Sequence, residues 1–514
     1  MPRKDMRPKV IRYLATGWRL AALAILCGVV MALGQAPLSL PYGLLLALPG
    51  LGWLFVNHQS RKGAFLTGWW AGSGYFATST FWIVEPFFIE PEIYGWMAPF
   101  ALIFMATGLA LFWGGAFLLA AMAHGKPLLR LIALAVAWTG FEFARAHILT
   151  GFPWGLLAYV WSETPLFQLL AFIGPHGLGL LTLLIGFLPL MVSSNPWASA
   201  GYVIVLVTAL WFGGQQRLPD TLNMSKTTVR LLQPNAPQHL KWRGDMVDVF
   251  FKRMLEMTRT SAPRHPDVVI WPETSIPYAL GSDTRALRII SDAAGPQAQV
   301  VAGIQRYQDN RVYNSMVYLD QAGEILAVYD KHHLVPFGEY IPLGHLLSRF
   351  GIHGLADNEG NGFASGIGVR IIDATGLPNF LPLICYEAIF PGLAQLGKAR
   401  PNWILHITND AWFGNYSGPF QHLVQVRARA VEQGLPVARS ANTGISAMID
   451  PYGRILAQLP LNEAGFLDAQ LPAPLSPTLY SRWGELPWLL IALILAVIVG
   501  LECRKTAGNP TDSI

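Results

Sequence analysis

The chain has 514 residues, 53% of them hydrophobic and only 13% charged, with 18 Trp and a mean hydropathy of +0.38. Soluble domains carry nearer ~25% charged residues, so the composition excludes a wholly soluble enzyme and requires a membrane part. The net charge of +5 does not point to nucleic acid: no basic-aromatic tract accompanies it, and membrane proteins hold excess Lys and Arg on their cytoplasmic side.

Residues Met1–Arg19 are strongly basic and lead into the apolar run Leu20–Leu33. Further long apolar segments follow at once, so this run reads as a retained first span and not a cleaved signal. The next candidates are Leu40–Val56, Gly63–Val84, Ile93–Ala123, Leu128–Ala144, Pro165–Val192, Trp197–Gly214 and Leu486–Leu501. That makes about eight spans, each near or above the ~17 residues a bilayer needs. Counting from a cytoplasmic N-terminus, Arg61, Lys62, Lys126, Arg130, Arg504 and Lys505 fall inside and Glu85, Glu90 and Glu92 outside, as the positive-inside rule asks. The polar region between the seventh and eighth spans then lies on the outer face. Glu142 and Arg145, three apart near the outer end of the fifth span, read as a pair snorkelling to the interface, with a functional intramembrane pair as the alternative. The expected domains are a membrane region over residues 1–214, a polar domain over 215–482, and a final span with a cytoplasmic tail over 483–514.

The polar domain alternates predicted strands and helices: strand Val229–Leu232, and helix Asp245–Thr260 with Met246, Val249, Phe250 and Met254 on one face. Strand Asp267–Trp271, helix Thr284–Ala294, strand Val300–Ile304 and a hairpin of Val312–Leu319 with Ile325–Tyr329 follow. Beyond Leu381–Ile384 come helix Gly392–Gly397, strand Trp403–Thr408, helix Pro419–Gln433 and strands at Pro436–Ser440 and Ile445–Ile449. The pattern is α/β with a mixed sheet. No phosphate-binding loop, zinc-protease motif or serine-hydrolase elbow occurs in it, and Cys27, Cys385 and Cys503 match no metal-ligand spacing.

Three polar residues each close an apolar strand: Glu273 in Val-Ile-Trp-Pro-Glu-Thr, Lys331 in Val-Tyr-Asp-Lys-His-His, and Cys385 in Leu-Ile-Cys-Tyr-Glu. Singly, these are a helix-terminal charge, a surface lysine and a core cysteine. Together they meet the needs of acyl transfer: Glu273 a base for the thiol, Cys385 the nucleophile, Lys331 and the backbone of Tyr386 the donors for an oxyanion.

The same three motifs, with Lys-His-His-Leu-Val-Pro-Phe-Gly-Glu-Tyr in full, resemble those of the nitrilase superfamily, and the full chain resembles its membrane-bound, lipoprotein-acylating branch. The resemblance implies an α-helical membrane bundle plus an α-β-β-α sandwich, with Glu273, Lys331 and Cys385 as catalytic triad. Glu339 would be the second essential carboxylate, Tyr386 and Glu387 part of the cysteine motif, and Trp242 a tryptophan on a mobile loop. It implies a phospholipid acyl donor and a diacylated apolipoprotein acceptor, a thioester intermediate, no cofactor, metal or nucleic acid, and a monomer in the bacterial inner membrane. A membrane-anchored amidase and a non-enzymatic transporter or receptor are the rival readings. Trp242, Leu343, Leu346, Leu347, Phe350, Phe363, Trp412, Phe413 and Tyr416 are apolar positions in loops of a solvated domain, which suggests a lid loosened at Gly344, Gly351, Gly354, Gly360 and Gly362.

Overall fold

Uncharged apolar runs satisfy their backbone groups internally, and in the first part of this chain they do so as helices. The structure is a computed structural model that describes residues 17–57, 60–192, 195–281, 285–342, 362–395 and 399–508. Contacts group the chain into two units, one of residues up to Val84, Trp96–Leu218 and Trp483 onward, the other of Glu85–Gly95 and Pro219–Arg482.

The first unit holds α1 (Gly17–Ala32), α2 (Pro41–Asn57), α3 (Arg61–Ser79), α4 (Ala98–Ala120), α5 (Pro127–His147), α6 (Leu170–Val192), α7 (Pro196–Arg217) and the last helix, Leu486–Gly508. Five segments reach the length and hydropathy of a membrane span: Pro91–Ala120, Pro127–His147, Pro165–Val192, Trp197–Arg217 and Leu486–Lys505. The expected eight are therefore met by five on these criteria. Helices α1 and α2 are short, at 16 and 17 residues. The predicted span to Val84 stops at Ser79, where the chain turns into a 3-10 helix over Phe81–Phe88. Helix α3 is rich in Gly, Ser and Thr, which lowers its hydropathy and lets neighbours approach closely. A side chain on Gly28 of α1 would meet the Ala71 carbonyl of α3 at 2.0 Å, and one on Gly72 would meet Ala110 Cα of α4 at 2.9 Å. Helix α6 kinks at Gly174, whose φ of 65° precedes Pro175.

Glu142 and Arg145 do not snorkel. Both are buried, at 5% and 2% exposure, and pair at 2.7 Å. Trp113 Nε1 donates to Glu142 Oε1 at 2.8 Å and Arg145 donates to the Trp154 and Phe152 carbonyls, so every charged end is satisfied inside the unit.

In the second unit, β1 (Met224–Gln233), β2 (Val268–Ile270), β3 (Gln299–Gln308), β4 (Arg311–Leu319) and β5 (Ile325–Asp330) form one sheet; β6 (Phe380–Ile384), β7 (Trp403–Thr408), β8 (Val437–Ala441), β9 (Ala447–Ile449) and β10 (Ile455–Gln458) form another. Strand β11 (Gly465–Pro472) joins the first, giving the orders β11-β1-β2-β3-β4-β5 and β10-β9-β8-β7-β6. Within them β1-β2-β3 and β6-β7-β8 are parallel, while β4, β5, β9, β10 and β11 add antiparallel pairs. The sheets pack face to face through Val229, Leu231, Ile270, Met316 and Tyr318 on one side and Phe380, Trp403, Leu405 and Met448 on the other. Helices α8 (Gly244–Arg259) and α9 (Arg285–Ala294) cover the first sheet through Met254, Leu255, Leu287 and Ile290, and α10 (Gly418–Gln433) covers the second through Leu423, Val426 and Ala430. The result is the expected α-β-β-α sandwich. One helix face differs from expectation: α8 buries Phe250, Met254, Leu255 and Thr258 and turns Val249 outward. Strands β10 and β11 were not foreseen, and the predicted helix after Cys385 is a 3-10 turn over Pro391–Ala394.

Candidate active site

Glu273, Lys331 and Cys385 each follow the C-terminal end of a strand, β2, β5 and β6, where side chains can leave the sheet without losing ladder bonds. The turns at Glu273 and Cys385, and the one that carries Glu339, bend into left-handed backbone. Cys385 itself has φ 50°, Thr274 beside Glu273 has φ 46°, and Phe337, two residues before Glu339, has φ 62°. A non-glycine residue there is held against its own preference by surrounding structure, which is characteristic of positions fixed for function.

Lys331 is fully buried between two carboxylates. Its Nζ donates to Glu339 Oε1 at 2.9 Å and lies 3.6 Å from Glu273 Oε1. Asn314, on β4, donates through Nδ2 to both carboxylates, at 2.7 Å to Glu273 and 3.1 Å to Glu339, and the Val335 backbone N–H fills the other Glu339 oxygen at 2.8 Å. Burial works to lower the Lys331 ammonium, but Glu339 and Glu273 outweigh it and hold it well above the ordinary lysine range. The two carboxylates thus favour the charged ammonium. For the Cys385 thiol, burial and then the Glu273 charge push it well up, with Lys331 and a hydrogen bond to Thr408 pulling the other way. Both effects together favour the protonated thiol at Cys385.

Glu387 does not face the reacting group. Its carboxylate is fully buried, with Oε1 accepting from the backbone of His332 at 2.7 Å, from that of His333 at 3.2 Å and from the Tyr329 hydroxyl at 2.7 Å, while Oε2 accepts from Ile384 N–H at 2.8 Å. It thus ties the loop after Lys331 to the turn that presents Cys385. The Tyr386 ring is buried against Phe390 and His333. Trp242 is 43% exposed, and its ring lies 5.4 Å from Nζ of Lys241. Lys241 was not foreseen: buried, it donates to the Glu273 carbonyl at 3.1 Å and to Thr274 Oγ1 at 2.9 Å, and burial lowers its ammonium to about 8 against the pull of Glu273 and Cys385. Of the apolar loop positions, Tyr416 is exposed at 74%, but Phe413 is buried at 7% and packs on His422, so it is not part of an open rim. Leu343, Gly344, Leu346, Leu347, Phe350, Gly351, Gly354 and Gly360 lie outside the described residues.

A sandwich of this layering with acid, ammonium and thiol at its strand ends defines the carbon-nitrogen hydrolase class, and residues 229–477 match the carbon-nitrogen hydrolase family. Residues 27–188 match the apolipoprotein N-acyltransferase N-terminal domain. Apolipoprotein N-acyltransferases from Rhodopseudomonas palustris and Bradyrhizobium diazoefficiens are each 38% identical to the chain, covering 96% of both chains in the first case and 97% in the second. The chain belongs to the apolipoprotein N-acyltransferase family. Among solved structures, an amidase from Nesterenkonia sp. is 19% identical, with 52% of this chain and 98% of that one covered at a TM-score of 0.36.

Proposed function

We propose that the protein transfers an acyl chain from a phospholipid to the α-amino group of the N-terminal S-diacylglyceryl-cysteine of an apolipoprotein, through a thioester on Cys385. The observation that carries this reading is the buried ammonium of Lys331, held between Glu273 and Glu339 beside a thiol on a strained turn. Glu273 takes the thiol proton as sulfur attacks the ester carbonyl, and Lys331 with the Tyr386 N–H stabilises the oxyanion. Collapse breaks the ester bond, Glu273 returns the proton to the glycerol oxygen, and lysophospholipid leaves. The α-amine then attacks the thioester, its proton passes to Glu273 and on to the departing thiolate, and an amide remains. Glu339 fixes Lys331, Glu387 fixes the loops, and Trp242 borders the entrance.

No nucleotide or metal is needed, because the thioester conserves the energy of the ester. In this reading eight helices span the inner membrane, the termini are cytoplasmic, and the sandwich works as a monomer at the outer, periplasmic face, where lipid substrates arrive by lateral diffusion. Mass spectrometry of the protein after incubation with phospholipid tests it: an acyl adduct on Cys385, absent from Cys385→Ala, is expected. Adding an N-terminal diacylglyceryl-cysteine peptide should discharge the adduct as N-acylated amine. Discharge as free fatty acid would make the protein an amidase-like hydrolase instead.

A further inference from the structure

Behind the nucleophile lies a cluster of charged and polar side chains with no part in the steps above: His406 and Thr408 on β7, Asp410 after it, His422 on α10 and Arg439 on β8, all essentially inaccessible to solvent. Two imidazoles converge on one atom. His406 Nε2 lies 3.1 Å and His422 Nε2 3.2 Å from the carbonyl oxygen of Cys385. A carbonyl only accepts, so a ring nitrogen bonds it only while that nitrogen carries a proton. For His406 the tautomer is fixed independently, because the Arg439 guanidinium, which only donates, sits 2.9 Å from its Nδ1. Burial and Arg439 also hold that ring well below the ordinary histidine range, keeping it neutral with its one proton on Nε2. His422 stands between two acceptors, with Asp410 Oδ1 2.9 Å from its Nδ1, so it could donate to both only as an imidazolium, which burial disfavours; its one proton is placed by Asp410, and Asp410 is held in turn by Arg439 and by Thr408 at 2.9 Å.

Such a cluster buries several polar groups at considerable cost, and it holds the His406 Nε2–H on the Cys385 carbonyl. The Cys385–Tyr386 peptide is planar and trans, so its carbonyl and its N–H point in opposite directions. Drawing the Cys385 oxygen toward β7 therefore aims the Tyr386 N–H the opposite way. Cys385 is in left-handed backbone, where that plane would otherwise be free to rotate toward a less strained setting.

We infer that His406 is a positioning residue of the oxyanion site: held by Arg439 and donating to the Cys385 carbonyl, it locks the Cys385–Tyr386 peptide so that the Tyr386 N–H meets the oxyanion. This rests on the acyl-enzyme reading above. The test compares two reactions of Cys385. Acylation by a phosphatidylethanolamine–phosphatidylglycerol mixture in detergent passes through an oxyanion, whereas alkylation by iodoacetamide needs the thiol but forms none. His406→Asn keeps an acceptor near the Nδ1 position, facing Arg439, and loses the donor that reaches Cys385. His406→Gln does the reverse. The expected result is a loss of about ten- to hundredfold in acylation for His406→Asn, somewhat less than deletion of an oxyanion donor. Alkylation should stay within about threefold, and His406→Gln should recover most of the acylation. His406→Leu, which also lacks the donor, gives the answer if His406→Asn does not fold. Unimpaired acylation in the variant without the donor, or acylation and alkylation falling in parallel, would overturn the inference. A wild-type protein that alkylates but never forms an acyl adduct would fail the acyl-enzyme reading itself.

Discussion

A carboxylate with no solvent exposure is tolerable only if its oxygens are filled by donors, and Glu387 takes four of them from the segments before and after Lys331 and from the strand before Cys385. Replacing it by Gln turns an amide NH2 toward at least one backbone N–H that cannot move away. We expect Glu387→Gln to lose about 1–3 kcal/mol of stability and to acylate slowly at temperatures where it is still folded. Tyr329→Phe, which removes a single donor, should cost about 1 kcal/mol. Thermal unfolding paired with the rate of adduct formation checks both; full stability with abolished acylation in Glu387→Gln would instead put this carboxylate on the reacting atoms. At this scale the sequence was legible where a polar residue interrupts the end of an apolar strand, as at Glu273, Lys331 and Cys385. It was silent at Asn314, His406 and Lys241. The first two sit inside strands whose partners, Glu339, His422 and Arg439, are distant in the chain. Lys241 reaches Glu273, 32 residues further along the chain, only through the fold.

At the scale of elements, strand β3 sets how far the Glu273 turn can move. A side chain on Gly303 would lie 2.5 Å from the Pro272 carbonyl, 2.5 Å from Thr274 N and 2.7 Å from Glu273 Cα, all backbone atoms with no rotamer to escape into. The Gly303 carbonyl also accepts from Ser275 and Ile276 N–H, so strand and turn are stitched together at this residue. Gly303→Ala should therefore displace Glu273, lowering stability by about 1–3 kcal/mol and acylation at least about tenfold. An unfolding curve and an adduct assay on the same sample measure both, and an unchanged rate would count against Glu273 as the base of the proposed reaction. Strands with long β-branched runs, such as Trp403–Thr408, were readable to the residue. Strands β10 and β11 were not, because both are half-exposed edges, and β11 gains its place by pairing with β1 from the far end of the domain. Nothing local to either segment announces that pairing.

For the whole molecule, composition demanded a membrane part and loop charges suggest an orientation for it, but hydropathy alone overstated the uniformity of the helices. Helix α3 is built for close packing, through Gly68 and Gly72 against α4, more than for lipid contact. Orientation is the property that decides whether the site can meet lipoproteins exported across the membrane, and the native cysteines allow a direct test. Cys385 is buried, Cys27 lies within apolar α1, and Cys503 is half-buried near the C-terminal end of the last helix. Ala322, exposed at the turn between β4 and β5, can take a cysteine without disturbing the sandwich core. In spheroplasts, a membrane-impermeant maleimide should label Ala322→Cys at once and reach Cys503 only after the membrane is broken. The reverse order, with Cys503 labelled first and Ala322→Cys protected, would place the sandwich in the cytoplasm, remove it from exported lipoproteins and refute the proposed topology.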